Sequence, residues 1–342
     1  MTRQVRKLEH LHYAVQLDLA SADFSDIELI HNCLPETALQ ALDLTTTVAG
    51  LTLAQPLLLN AITGGVEAAE AINHDLALAA RSCGLPMAVG SQMAALENQR
   101  YQQTYRVVRE VYPQGIIFAN IGANAGLTAA QQAVEMVAAD ALQIHLNVPQ
   151  ELMMAEGDRD FRGWRQRLAA IVKAVSVPVI VKEVGFGIAK EQAAQLQDIG
   201  VAAIDVGGQG GTNFLQIESA RTKQQISAEL LQWGIRTPLT ILEAKAGAPA
   251  VDIIASGGIN SGLLAAKALA LGAQAVGSAG LALRILQKAG PEKLVASLQK
   301  ILTELKMVML MTGCSSIREL QEVPLVITGQ AREWMTARGL SR

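Results

Sequence analysis

Eight short apolar runs, each ending in glycine or a polar residue, constrain this chain more than anything else in it. In order they are PLLLNAITGG, PMAVGSQ, GIIFANIG, LQIHLNV, PVIVKEVGFG, AAIDVGGQGG, DIIASGGIN and AQAVGSAG. Helical patterns such as AAEAINHDLALAARSCG and TAAQQAVEMVAADA separate them. Continuous apolar strands that alternate with helices predict a parallel sheet covered on both faces. Eight such units predict a closed (β/α)8 TIM barrel, in preference to an open doubly wound sheet. The chain of 342 residues fits one such barrel.

Two parts fall outside the repeat. Residues 1–50 precede the first strand and contain a helical stretch, RQVRKLEHLHYAVQL; the expected division is a 1–50 extension reaching the active site and a 51–342 barrel. The second part is a long insertion after strand six, from Gly207 to Val251, expected to carry a loop over the barrel mouth and extra helix. The apolar positions of PEKLVASLQKILTELKMVMLMTG recur at helical spacing, so its methionines read as core filler in a closing helix.

Composition narrows the class. The net charge is −3 with no long run of one sign, which argues against a nucleic-acid partner. Cys33, Cys83 and Cys314 show no paired spacing, so neither a disulfide framework nor a zinc site is expected, and a cytoplasmic setting fits. MTRQVRKLEH lacks the apolar core of a secretory signal. The most apolar window, Gly262 to Leu283, is broken by Lys267 and glycines and is not read as a membrane span.

Barrels of this kind react at the C-terminal ends of their strands. Polar residues cluster there at nearly every strand: Thr63, Ser91, Asn120, His145 with Gln150 and Glu151, and Lys182. The pairs Gly257-Gly258 and Ala279-Gly280, after strands seven and eight, stand where backbone N–H groups can receive a phosphate. Lys182 interrupts an apolar strand, so it needs an anionic partner or a bound acceptor. Neighbouring strand residues face opposite ways, so Lys182 is expected to face the ligand and Glu183 to lie on the helix-facing side or at the rim, with no role assigned to it.

Together NAITGG, VGSQM, FANIG, LQIHLNVPQE, EGDRDF, VIVKEVGFG, GGQGGTNF, IASGGIN and GSAG, in this order and with RKLEH near the start, resemble type 2, FMN-dependent isopentenyl-diphosphate delta-isomerase. The resemblance implies an FMN-binding barrel that converts isopentenyl diphosphate to dimethylallyl diphosphate, in isoprenoid biosynthesis. It does so by adding and removing a proton, with either Gln150 or the flavin completing the transfer. It places FMN on Ala61, Ile62, Thr63, Ser91, Asn120, Lys182 and Thr212, with the phosphate on Gly257, Gly258, Ala279 and Gly280. Substrate would meet Arg6, Lys7, His10, Ser91, Gln92, Met93, His145 and Gln150, with Gln150, Lys182 and His145 as the catalytic group. Glu151 would hold Mg²⁺ against the diphosphate, and NADPH would reduce the flavin. In the family, residues of the Arg6-Lys7 segment reach a neighbouring subunit's site, so the resemblance implies a homo-oligomer, a tetramer or octamer. Ile62, Met93 and Asn260 depart from the family's commoner methionine, arginine and arginine. The alternative is an FMN-dependent 2-hydroxy-acid oxidase or dehydrogenase. Such enzymes need a histidine base and an arginine near strand seven, where ASGGIN has neither.

Overall fold

The computed structural model describes residues 3–17 and 21–341. Eight parallel strands close into a barrel: β1 Leu57–Leu59, β2 Met87–Ala88, β3 Ile117–Gly122, β4 Ala141–Leu146, β5 Val179–Glu183, β6 Ala203–Asp205, β7 Asp252–Ser256 and β8 Ala275–Ser278. Each apolar run read from the sequence supplies one strand, and chain order is barrel order. The strands are buried on both sides because helices cover the outside, which is why the runs are continuous rather than alternating.

The N-terminal end of the barrel is stoppered. A hairpin pairs Thr46–Val48 with Leu51–Leu53. Its Val48 and Leu53 pack with the inward-facing Leu58, Phe118, Ile180 and Ile254. The division expected at residue 50 therefore falls in the turn of this hairpin, at Ala49-Gly50. The hairpin packs that end of the barrel with apolar side chains, and the cavity lies at the C-terminal ends of the strands.

Three helices build the other end. Helix α1, Arg3–Gln16, lies over the mouth. The insertion after β6 supplies α2, Phe214–Thr222, before running through Ala228–Leu231 and Thr237–Gly247 to β7. Helix α3 starts at Gly280, directly after β8, and runs to Thr312. It breaks at Gly290 (φ +83°), just before Pro291, so the closing helix read from the sequence is its second segment. Ala14 of α1, Ile217 of α2 and Leu283 of α3 form one small core, with Leu11 and Phe214 packed against it. An apolar roof thus covers the barrel mouth.

The chain past the closing helix was not legible as structure. It forms a helix Ile317–Glu322, a strand Leu325–Ile327 and a helix Gly329–Arg338. The strand pairs antiparallel with Ile27–Leu29, tying the two ends of the chain together. Arg338 then pairs with buried Glu243 at 2.8 Å and with Glu191 at 2.6 Å.

Candidate active site

A cavity of about 260 Å³ lies beneath the roof, and every one of the eight strands contributes to it at its C-terminal end. Its lining includes Ala61, Ile62 and Thr63 after β1, Ser91 after β2, Asn120 on β3, His145 on β4 and Lys182 on β5. Gln150, Thr212, Gly257, Gly258, Ala279 and Gly280 line it too, as do Lys7 and His10 from above. The structure thus gathers most of the residues expected from the sequence around one space.

The floor is polar and fully wired. Lys182 Nζ lies 3.2 Å from Asp205 Oδ2 and donates to Ser256 Oγ at 3.2 Å. Asp205 has no exposed surface and also accepts from Asn60 Nδ2 at 2.6 Å. The partner Lys182 required is therefore Asp205, its register neighbour on β6. Glu183 turns away from the cavity: its Oε2 accepts from the backbone N–H groups of Gly185, Phe186 and Gly187 at 2.7, 2.5 and 3.1 Å. Burial pushes the Glu183 carboxyl up to about 7, against the pull of those donors and of Lys182.

From Asp205 a hydrogen-bonded chain crosses the floor. Gln143 Nε2 donates to Asn60 Oδ1 at 3.1 Å, Asn120 Nδ2 to Gln143 Oε1 at 2.8 Å, and Asn120 Oδ1 lies 2.9 Å from His145 Nδ1. Burial lowers the His145 pKa to about 4, and the charges of Lys182 and Lys7 push the same way, so the ring is neutral near pH 7.

The roof residues are held by the protein itself. Lys7 Nζ donates to the Gly64 and Ser91 carbonyls at 2.5 and 2.9 Å and to the Tyr105 hydroxyl at 2.9 Å. Gly65 permits this: its φ is +79°, and a Cβ there would sit 2.7 Å from Lys7 Nζ. His10 Nε2 lies 2.5 Å from Glu218 Oε1, and Arg6 lies 3.7 Å from Glu156. Burial works against ionisation of Glu218, but His10 and Arg221 outweigh it and hold the carboxyl below its usual range. Gln150 Nε2 reaches the same Glu218 oxygen at 3.4 Å, linking α1, through α2, to the short helix Val148–Met153 after β4.

Four expected residues lie elsewhere. Gln92 is fully buried, with its amide donating to the Ala133 carbonyl and its oxygen accepting from the Asn120 N–H; it props up β3. Met93 packs against the core, and neither residue lines the cavity. Arg6 and Glu151 do not line it either. Glu151 accepts from Asn147 Nδ2 and from the Asp158 N–H, both at 2.9 Å. Among the described residues no group of three acidic, histidine or cysteine side chains is placed to hold a metal. No helix among them is long and apolar enough to cross a membrane.

Asp205, Asn60, Gln143 and Glu218 were not assigned from the sequence. Asp205 had a signal, since a lysine ending β5 calls for an acid at the same height on β6. Glu218 had none, because its role depends on α2 folding back beneath α1.

FMN fits the residues present. Helix α3 starts at Gly280 with no side-chain cap at Ala279, which leaves its first N–H groups for an anion. Gly258 (φ +78°) has the Gly210 carbonyl 1.8 Å from where a Cβ would stand, so backbone alone can form that wall. The Ser278 Oγ is buried, lines this end and has no protein partner. The lysine, amides and hydroxyls on the floor suit a flavin ring with polar edges.

Residues 119–326 match the FMN-dependent dehydrogenase family. The isopentenyl-diphosphate delta-isomerase of Geobacillus sp. (strain WCH70) is 48% identical over 341 residues, covering 99% of this chain and 97% of the relative. That of Symbiobacterium thermophilum is 48% identical over 349 residues, covering 99% and 96%. A mandelate oxidase structure superposes with a TM-score of 0.66 at 16% identity, covering 94% of this chain and 96% of the other, and shares the fold. With these relatives matched end to end on an FMN-type barrel, the chain belongs to the isopentenyl-diphosphate delta-isomerase family.

Proposed function

We propose that this protein interconverts isopentenyl and dimethylallyl diphosphate in the cavity between barrel and roof. The observation that carries the reading is the split character of that space. Lys182, Asn120, His145 and Gln150 face it from the barrel side, while Leu11, Ala14, Phe214, Ile217 and Leu283 cover it from above. A five-carbon alkene chain needs the apolar side, and proton transfer to and from carbon needs a dry, preorganised polar one.

FMN would rest on Ala61, Ile62, Thr63, Ser91, Asn120, Lys182 and Thr212, with its phosphate at Gly257, Gly258, Ala279 and Gly280. Bound and reduced, it supplies proton-transfer chemistry with no net redox change, and NADPH is the reductant we assign to it. Lys182, held by Asp205 and Ser256, is a fixed positive charge at the floor. His145 and Gln150 face the reacting end of the substrate. Lys7 brings a positive charge and His10 an imidazole toward the diphosphate, with Arg6 one residue further out. We assign Mg²⁺ to Glu151, a hard oxygen ligand next to Gln150 on the short helix Val148–Met153. A single protein carboxylate suits a Mg²⁺ ion that takes its other ligands from substrate phosphates and water. We also assign a homo-oligomer to the protein, which leaves α1 in place over its own barrel.

The test is anaerobic turnover of isopentenyl diphosphate by flavin-loaded, reduced protein, with and without Mg²⁺. Appearance of dimethylallyl diphosphate is expected, with a requirement for both. No product from fully reduced, Mg²⁺-supplied protein, together with oxygen uptake on a 2-hydroxy acid, would establish the oxidase reading instead.

A further inference from the structure

We propose that Asp205 is a positioning residue that sets the tautomer of His145 from across the barrel, so that the imidazole enters the cavity as a hydrogen-bond acceptor at Nε2. The argument is one of direction, because each link in the floor can run only one way. An ammonium only donates, so the Asp205 Oδ2 that Lys182 meets at 3.2 Å accepts. Asn60 meets the same oxygen at 2.6 Å and must use its amide nitrogen. A second contact fixes the same orientation: the Ala61 backbone N–H, also only a donor, meets Asn60 Oδ1 at 2.9 Å.

Gln143 then faces two acceptors, Asn60 Oδ1 at 3.1 Å and Asp205 Oδ2 at 3.4 Å, so it presents its nitrogen to them. Its oxygen is left to accept from Asn120 Nδ2 at 2.8 Å. Asn120 is thereby turned with its oxygen toward His145 Nδ1, 2.9 Å away. An oxygen acceptor there demands a proton on Nδ1. Burial and the two lysines keep the ring neutral, against a smaller opposing pull from the Ile121 carbonyl, so the ring carries one proton only. Nε2 is left bare. It lies beside Gly122, where a Cβ would stand 3.2 Å from it, and the ring lines the cavity.

The consequence for turnover rests on the isomerase reading; the tautomer does not. A fully ionised diphosphate oxygen has no proton to give, so neutral His145 cannot hold it. His145 instead accepts, from water, from a protonated group or from the carbon that loses its proton. Three carboxamides, Asn60, Gln143 and Asn120, thus decide whether this histidine is a donor or a base, and the decision starts from a carboxylate on the far side of the floor.

The experiment is a long-range proton–nitrogen correlation spectrum of ¹⁵N-histidine-labelled protein, as purified and without substrate. The chain has five histidines, so His145 is assigned by the signal that His145→Asn removes. At pH 7 the wild type is expected to show a protonated Nδ1 and an unprotonated Nε2. An Nε2–H tautomer or an imidazolium would overturn the proposal. Because this measurement is made on wild-type protein without substrate, it stands or falls separately from the turnover assay. In Asp205→Asn the carboxylate no longer holds Asn60 and Gln143 to donating and only the Ala61 N–H still orients Asn60, so the two nitrogen shifts should move part of the way toward each other as both tautomers populate. Gln143→Leu cuts the chain while leaving the ion pair intact, and the same convergence is expected. Unmoved shifts in a folded variant of either kind would remove Asp205 from the role.

Discussion

Replacing Lys182 by methionine removes one charge from the floor and leaves the shape of the side chain nearly intact. Its partner Asp205 has no exposed surface, and Lys182 itself is 11% exposed at the side chain. Removing one member of a buried pair costs roughly 3–5 kcal/mol, because the other charge stays behind uncompensated. Asp205 retains donors from Asn60 and Ser256, so the lower end applies. A loss of about 3 kcal/mol is expected, about two decades in the folded-to-unfolded ratio. Urea unfolding of flavin-free protein measures it without any contribution from flavin binding. The double variant Lys182→Met/Asp205→Asn removes both charges and should recover part of the loss, giving a coupling above about 1.5 kcal/mol. The flavin of the loaded single variant should be harder to reduce, since a positive charge beside the ring has gone. A cost below about 1 kcal/mol for the single variant, or additive losses in the double one, would refute the pairing as a determinant of stability.

Two further outcomes follow from the same region. His145 binds its proton at about 4 in the native state against 6.5 ordinarily, so the unfolded chain takes up a proton that the native state refuses between those values. Its contribution is complete above pH 6.5 and is lost as pH falls to 4, by about 3 kcal/mol in all; unfolding free energies across that window should flatten in His145→Asn. Glu183→Gln keeps an accepting oxygen for the Gly185 and Phe186 N–H groups and should cost less than about 1 kcal/mol, whereas Glu183→Ala orphans both and should cost about 2 kcal/mol in the same urea titration.

The order of the eight strands, the face on which the site lies and the separation of Lys182 from Glu183 were all determined by the sequence by itself. These depend on local rules: an apolar run makes a strand, adjacent residues face opposite ways, and a parallel barrel gathers the ends of its strands. The motif order likewise carried the family and fifteen of the residues that line the cavity. Tertiary structure alone decided which residues meet. Lys182 finds Asp205 because β5 and β6 pair in one register, and His145 is tied to Asp205 through Gln143 only when the barrel closes. Gln92 and Met93 follow Ser91 in the sequence, yet the chain turns there into a short helix, Met93–Glu97, and takes both away from the cavity. Lys7 and His10 precede the barrel by some fifty residues and reach its mouth only because an apolar face of α1 packs on α2 and α3. Strand and helix follow from neighbours along the chain; the site is made by contacts between residues far apart in it, and those depend on how the whole barrel closes.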